Sequence, residues 1–239
     1  MAVWNPWLGC HKKSEGCDNC YIHRANERKG INTDIIYKTD EFYKPVEKDK
    51  KDNYKIKSGQ IVFVCFNSDF FVEEADEWRK EAWQIMKKRN DLKFLFLTKR
   101  IERFEIGLPE DFSSEYEHVT ICTTIENQKR ADERLSILKK LPIKNKIITI
   151  QPLIERIDIS KYLDETINSV VVGGESGKDV RPLNFDWVLE IREQCINKNI
   201  NFEFRQIGSI FIKNGNIFKT SKQYLCSKAK SENINYKKM

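Results

Sequence analysis

Cys10, Cys17 and Cys20 fall within eleven residues of a 239-residue chain. Thiolates are soft ligands suited to zinc or iron–sulfur clusters, and the two-residue gap between Cys17 and Cys20 lets both point at one centre. Gly9 and Gly16 let the loop wrap closely around it. The loop offers no obvious fourth thiol. A structural zinc site is closed by four ligands, whereas a reactive centre keeps one position open. Three thiolates on a four-iron cube leave one iron for the amino and carboxylate groups of S-adenosylmethionine. The spacing therefore predicts a [4Fe-4S] cluster that passes an electron into the sulfonium, producing a radical that takes hydrogen from an unactivated carbon. Such chemistry needs an electron donor such as flavodoxin or ferredoxin. The competing reading is a Cys3His zinc knuckle completed by His11 or His23.

The other four of the seven cysteines have plainer readings. Cys65 and Cys122 lie in apolar strand patterns, Cys195 on the apolar face of a helix and Cys226 in a polar tail. Small buried thiols are common. Seven thiols outside the secretory route stay reduced, so disulfides are a poor account of them. No run of eighteen apolar residues exists, and MAVWNPWLGC lacks the features of a signal peptide. The chain is expected to be soluble and cytoplasmic, with no membrane association. Net charge is +6, but residues 219–239 carry six lysines and one glutamate, so +5 of it belongs to the tail. A lysine-, Ser- and Asn-rich end with little apolar content predicts a solvated or frayed terminus, and more weakly a contact to polyanions.

Positioning the thiols is the task of the surrounding elements. Short β-branched or aromatic runs recur between amphipathic segments, a pattern of repeated βα units around a parallel sheet. Strands are predicted in the opening segment and over Gln60–Phe66, Lys93–Leu97, Val119–Thr123, Lys146–Ile150, Asn168–Val172 and Asn201–Arg205. Ala75, Trp78, Ala82, Ile85 and Met86 share one helix face, as do Ala131, Leu135 and Leu138, and further on Val188, Ile191 and Cys195. Right-handed crossovers between neighbouring strands curl this many units toward a TIM-barrel-like (β/α) fold, a partial or full barrel of six to seven parallel strands. An open doubly wound sheet is the alternative. Residues 38–57 read as a charged surface insertion. Asn214-Gly215 between two apolar runs predicts a small C-terminal β-hairpin. The barrel is placed over 1–208, and the hairpin with the lysine-rich tail over 209–239.

If the strands are parallel, site residues should follow each apolar run at its C-terminal end. Asn67-Ser68-Asp69 follow the second strand, Thr98-Lys99-Arg100 the third and Thr124-Ile125-Glu126-Asn127 the fourth. Gln151-Pro152 follow the fifth, Gly173-Gly174-Glu175-Ser176-Gly177 the sixth and Arg205-Gln206 the seventh. The set suits a zwitterionic nucleoside: carboxylates and amides for an ammonium group and ribose hydroxyls, Arg or Lys for a carboxylate or phosphate. Asn67, Ser68, Asp69, Thr98, Lys99, Glu126, Asn127 and Gln151 are assigned to the cofactor. Arg100, Gly173, Gly174, Glu175, Ser176, Arg205 and Gln206 are assigned to the substrate. Glycines at a strand end let a ligand approach the backbone. There is no Walker lysine and no full dinucleotide glycine fingerprint.

Trp4-Asn5-Pro6-Trp7 with the cysteine loop and Tyr21, Ser68-Asp69-Phe70-Phe71, Leu97-Thr98-Lys99-Arg100, Glu126-Asn127-Gln128, Gln151-Pro152-Leu153, Gly173 to Gly177 and Arg205-Gln206-Ile207-Gly208 run in order from residue 4 to about 208. In these pieces the chain resembles the phage Gp37/Gp68-like three-cysteine-motif family (DUF5131). The resemblance implies a barrel of the radical S-adenosylmethionine type but supplies no substrate; its phage association points toward a nucleotide or nucleic acid. The wider superfamily has three residues between its first two cysteines, and here there are six. The superfamily's Gly-Gly-Glu stretch follows the second strand, where this chain has Asn67-Ser68-Asp69. By position, Ser68 and Asp69 take the contact to the methionyl ammonium, while Glu175 faces cofactor or substrate. Two other functions compete: a zinc-stabilised nucleic-acid-binding module using Lys99, Arg100 and the tail, and a metal-independent hydrolase or lyase using Glu126 and Glu175.

Overall fold

Runs of three to seven residues, too short for core helices, form the strands of a seven-stranded parallel sheet flanked by helices. A computed structural model describes Met1–Lys238. The sheet strands are β1 (Ala2–Trp4), β4 (Ile61–Val64), β5 (Lys93–Thr98), β6 (Val119–Thr124), β7 (Asn145–Ile150), β8 (Ile167–Gly173) and β10 (Asn201–Gln206). Short strands β2 (Trp7–Leu8) and β3 (Tyr37–Lys38) pair antiparallel. The remaining strands, β9 (Leu183–Asn184), β11 (Ile210–Lys213) and β12 (Asn216–Lys219), make a small separate sheet. Helices are α1 (Tyr21–Glu27), α2 (Asp76–Lys88), α3 (Phe112–Glu115), α4 (Gln128–Lys140), α5 (Phe185–Asn197) and α6 (Leu225–Ser231). The β then α order is a partial TIM-barrel-like fold; among the described residues the sheet ends at β1 and β10 and does not close into a full barrel.

Internal contacts divide the chain into two units. The first holds Met1–Lys13, Ile22–Cys122 and Leu141–Asn145. Here β1 pairs with β4 and β4 with β5, all parallel and without register shifts. Their core is aromatic: Phe70 stacks on Phe96 with ring centroids 4.4 Å apart, and Trp83 meets Phe70, Phe112 and Tyr116 edge-on. Such edge-to-face pairs add to the burial of the rings. Ala75 just before α2, and Ala82, Trp83, Ile85 and Met86 along it, are buried, and Trp83 rather than Trp78 carries the stripe. The stripe also contains Arg79, fully buried, whose Nη1 donates to the carbonyls of Phe70 and Val72. The charged insertion at 38–57 is pinned. Phe42 and Ile56 are buried, and fully buried Arg89 donates to the carbonyls of Pro45 and Ile56.

The second unit holds Ser14–Tyr21, Thr123–Lys140 and Lys146 onward. In it β8 lies between β7 and β10, parallel to both. Val188, Ile191 and Cys195 are the buried face of α5, as their spacing predicts. Asn214 and Gly215 both have positive φ, the turn that closes the β11–β12 hairpin; β9 adds a third, parallel strand. The lysine-rich terminus is not frayed, contrary to the expectation from its composition. Leu225 and Ala229, four apart on α6, are buried, and the Leu225 carbonyl accepts from the Ile207 N–H at 3.1 Å. Tyr236 then exchanges two backbone hydrogen bonds with Phe202, at 2.8 and 3.0 Å. Two anchoring apolar side chains and a strand edge suffice to dock a segment that average composition marks as solvated.

Candidate functional site

In the first unit the strand-end residues close on the Gly9–His11 stretch. Cys65, just after β4, has φ +54°, and its carbonyl accepts from the Ser68 N–H at 3.0 Å. That turn carries Asp69 inward, where its carboxylate accepts from Thr98 Oγ1 at 2.8 Å and from the N–H groups of Lys99 at 2.9 Å and Phe71 at 3.0 Å. Arg100 Nη1 adds a 3.2 Å ion pair. With Asp69 and Arg100 both buried, pairing is what makes their burial tolerable. The same guanidinium reaches the loop: Nη2 donates to the His11 carbonyl at 2.8 Å, and Nη1 lies 3.9 Å from Cys10 Sγ. Ser68 Oγ donates to the Gly9 carbonyl, and Trp7 Nε1 to the Asp69 carbonyl at 3.2 Å. Gly9 itself has φ +90°, and a Cβ there would run into the backbone of Ile35. Both ring nitrogens of His11 face carboxylates, Nε2 to Glu74 at 2.6 Å and Nδ1 to Asp34 at 3.4 Å. The hydrogen bond to Glu74 chiefly raises its pKa, so this ring is committed to carboxylates and not offered to the neighbouring thiol.

In the second unit a different set of strand ends grips Ser14–Asn19. Glu126, fully buried, accepts from the Gly16 N–H at 3.3 Å and pairs with Arg134 Nη1 at 3.0 Å. Arg134 also donates to the Thr124 carbonyl at 2.7 Å and to Ser14 Oγ at 2.8 Å. A Cβ on Gly16 would lie 3.1 Å from the Glu126 carboxyl carbon, so the glycine lets the loop rest on that side chain. Arg130 makes a two-bond pair with Glu15 at 2.9 and 3.1 Å, which lowers the Glu15 carboxyl to about 2. Burial pushes Glu175 up, but hydrogen bonds from Arg181 and Asn19 win and hold it below the ordinary carboxylate value. Asn19 Nδ2 donates to Glu175 at 2.8 Å, and Arg181 Nη2 donates to the Glu15 carbonyl at 2.8 Å as well as to Glu175. Cys17 is 8% exposed, and its carbonyl accepts from the Cys20 N–H at 3.2 Å, so the two thiols bracket one turn.

The residues assigned by position to cofactor and substrate thus serve different ends. Ser68, Arg100, Glu126 and Glu175 contact the cysteine loop directly, and Asp69 and Thr98 fix Arg100 behind it. Asn127 caps α4, its Oδ1 accepting from the Arg130 N–H at 2.9 Å. The glycines are occupied by the protein itself. A Cβ on Gly174 would stand 2.5 Å from the Gly208 backbone, and one on Gly173 would meet Gln151 at 3.0 Å and Gln206 at 3.1 Å. Gln206 Nε2 donates to the Gly174 carbonyl at 2.7 Å. Arg205 is not gathered with the others; it is exposed and paired with Glu203 two residues earlier. Asn67 is exposed, and Lys99 and Ser176 are half-buried. Sequence reasoning missed Arg130, Arg134, Arg181 and Asn19. For Arg134 a signal existed, because it occupies the apolar stripe of α4 with Ala131, Leu135 and Leu138, where a charge needs a buried partner.

Among the described residues no group of three or more His, Cys, Asp or Glu side chains is gathered as a metal site. Cys10 counts with the first unit, Cys17 and Cys20 with the second. All three offer soft thiolate donors of the kind zinc and iron–sulfur clusters take, while both ring nitrogens of His11 already face carboxylates. No helix is long and apolar enough to cross a membrane. Compared with known proteins, residues 1–234 match the family described as "Protein of unknown function (DUF5131)", and the chain belongs to that family. No curated protein and no solved structure matches it.

Proposed function

We propose that this DUF5131 protein is a radical S-adenosylmethionine enzyme whose Cys10, Cys17 and Cys20 hold a [4Fe-4S] cluster. One observation carries the reading: in each unit, buried ion pairs at the C-terminal ends of parallel strands are spent on fixing a piece of one three-cysteine loop. Buried charge is costly unless matched, and a loop fixed by three separate pairs is fixed for a purpose. Bound there with S-adenosylmethionine, such a cluster supplies one-electron cleavage of a sulfonium carbon–sulfur bond and hydrogen abstraction from a substrate. The chain's own residues bind and orient. Arg100 places positive charge beside Cys10, and the Glu126–Arg134 and Glu175–Arg181 pairs hold the turn that carries Cys17 and Cys20. Lys99, half-buried and without an ion pair among the described residues, takes the methionyl carboxylate of the cofactor. Asn67 and Ser176 offer further polar contacts, the first to the cofactor and the second to the substrate. A reduced flavodoxin or ferredoxin supplies the electron, and the substrate class is a nucleotide or nucleic acid.

Anaerobic reconstitution tests this. The wild-type protein should take up about four irons per chain, and alanine at Cys10, Cys17 and Cys20 should abolish uptake. Stoichiometric zinc with no iron would overturn the reading.

A further inference from the structure

The docked C-terminal segment is a strap with a directed charge. Its path is fixed at three points: Leu225 against Ile207, Asn235 Oδ1 accepting from the Phe204 N–H at 2.8 Å, and Tyr236 paired with Phe202. It therefore runs back along β10 from the strand's C-terminal end, a span of about 20 Å for six residues. Lys219, Lys222, Lys228, Lys230, Lys237 and Lys238 on this segment are all exposed. Among the described residues none of the six has an ion-pair partner. The segment's one carboxylate, Glu232, is taken by Lys213. Single lysines elsewhere among the described residues, such as Lys50, Lys57 and Lys99, also lack an ion-pair partner; what sets this segment apart is six lysines against one acidic side chain within residues 219–238. At the start of the strap two rings are half exposed, Phe218 at 48% just before Lys219 in sequence and Tyr224 at 51% two residues after Lys222. The same end adjoins the strand-end residues of this unit, since the Ser209 N–H donates to the Glu175 carbonyl at 2.8 Å.

We propose that the strap is a track for single-stranded nucleic acid, with phosphates on the lysines and bases stacked on Phe218 and Tyr224. A concentration of exposed lysines without ion pairs favours a polyanion, and exposed rings favour one whose flat bases are unpaired. Anionic lipid or an acidic polypeptide would use the lysines without the rings. The inference names the partner independently of the cluster, because the strap lies outside the cysteine loop.

Fluorescence anisotropy of the full-length protein as isolated, with labelled twelve-nucleotide oligo-dT and oligo-rU over a salt series, tests it. Binding should weaken linearly in log–log form. The combined variant Lys222→Gln, Lys228→Gln, Lys230→Gln and Lys237→Gln should flatten the slope by about 3, at about 0.7 per lost phosphate contact. Phe218→Ala with Tyr224→Ala should weaken binding by about thirtyfold or more and leave the slope unchanged. These positions are exposed, and an unchanged melting temperature confirms that each variant is folded. Unaltered oligonucleotide binding in both variants would overturn the proposal. So would equal affinity for polyglutamate or phosphatidylserine vesicles with no effect of removing the rings. Loss of iron uptake on the cysteine variants leaves this measurement unaffected, so the two proposals fail separately.

Discussion

Removing the Glu126 carboxylate tests the idea that strand-end charges exist to hold the cysteine loop. In Glu126→Ala, Arg134 stays buried with its Thr124 and Ser14 contacts but no counter-charge, and the Gly16 N–H loses its acceptor. Breaking one partner of a buried pair costs about 3–5 kcal/mol, and an orphaned amide adds about 1–3 kcal/mol more if it stays dry. The loop can swing out to water instead of bearing that second cost. We therefore expect a stability loss of about 3–4 kcal/mol, read by urea denaturation, with faster alkylation of Cys17 in the folded protein, by about tenfold. The double variant Glu126→Leu with Arg134→Met should recover most of the stability, because apolar side chains of similar volume avoid the unmatched charge. It should not recover the protection of Cys17, since Gly16 still lacks its acceptor. A Glu126→Ala loss below about 1 kcal/mol, or a double variant as unstable as the sum of its parts, would refute the reasoning.

Gly174→Ala puts a Cβ 2.5 Å from the Gly208 backbone, which has no flexible end to yield, and should cost about 1–3 kcal/mol in denaturant unfolding. Gly215→Ala meets no neighbour and should cost only the strain of its φ of +74°, about 1 kcal/mol. Glu175 has a folded pKa below its unfolded value near 4.5, so its contribution is complete above that pH and is lost as the pH falls through the lower, folded value. Acid titration of Glu175→Gln should accordingly show a shallower loss of stability below pH 4.5 than wild type. Burial pushes the Cys195 thiol up to about 12, and exposed Cys226 should react with a thiol reagent in the native state while Cys195 reacts only on unfolding.

Strand positions were legible because period and length are local: runs such as Lys93–Thr98, buried at every second residue, and Ile167–Gly173, buried over its last four, are too short for core helices. The hairpin was legible from Asn214-Gly215 for the same reason. The cysteine loop was singled out by spacing alone, and among the described residues its thiols are not gathered as a metal site. What held it was not legible, because the Glu126–Arg134 and Glu175–Arg181 pairs meet loop residues more than a hundred positions away, and nothing in the local pattern records a partner. Polar residues at strand ends announced that something sat there, without saying that it was the loop rather than a ligand. Composition misled at the terminus, where Leu225 and Ala229 are diluted among lysines although two side chains at helical spacing are enough to dock it.

The strap also covers part of the outer edge of β10. An outer strand with open N–H and C=O groups is a template for another chain, and on β10 the groups of Phe202 are taken by Tyr236 and the Phe204 N–H by Asn235. Those two residues lie just past the 1–234 segment that matches the family. Cutting the chain there would bare the rim of the sheet, so a truncated form should assemble edge to edge as its concentration rises, while the longer form stays dispersed.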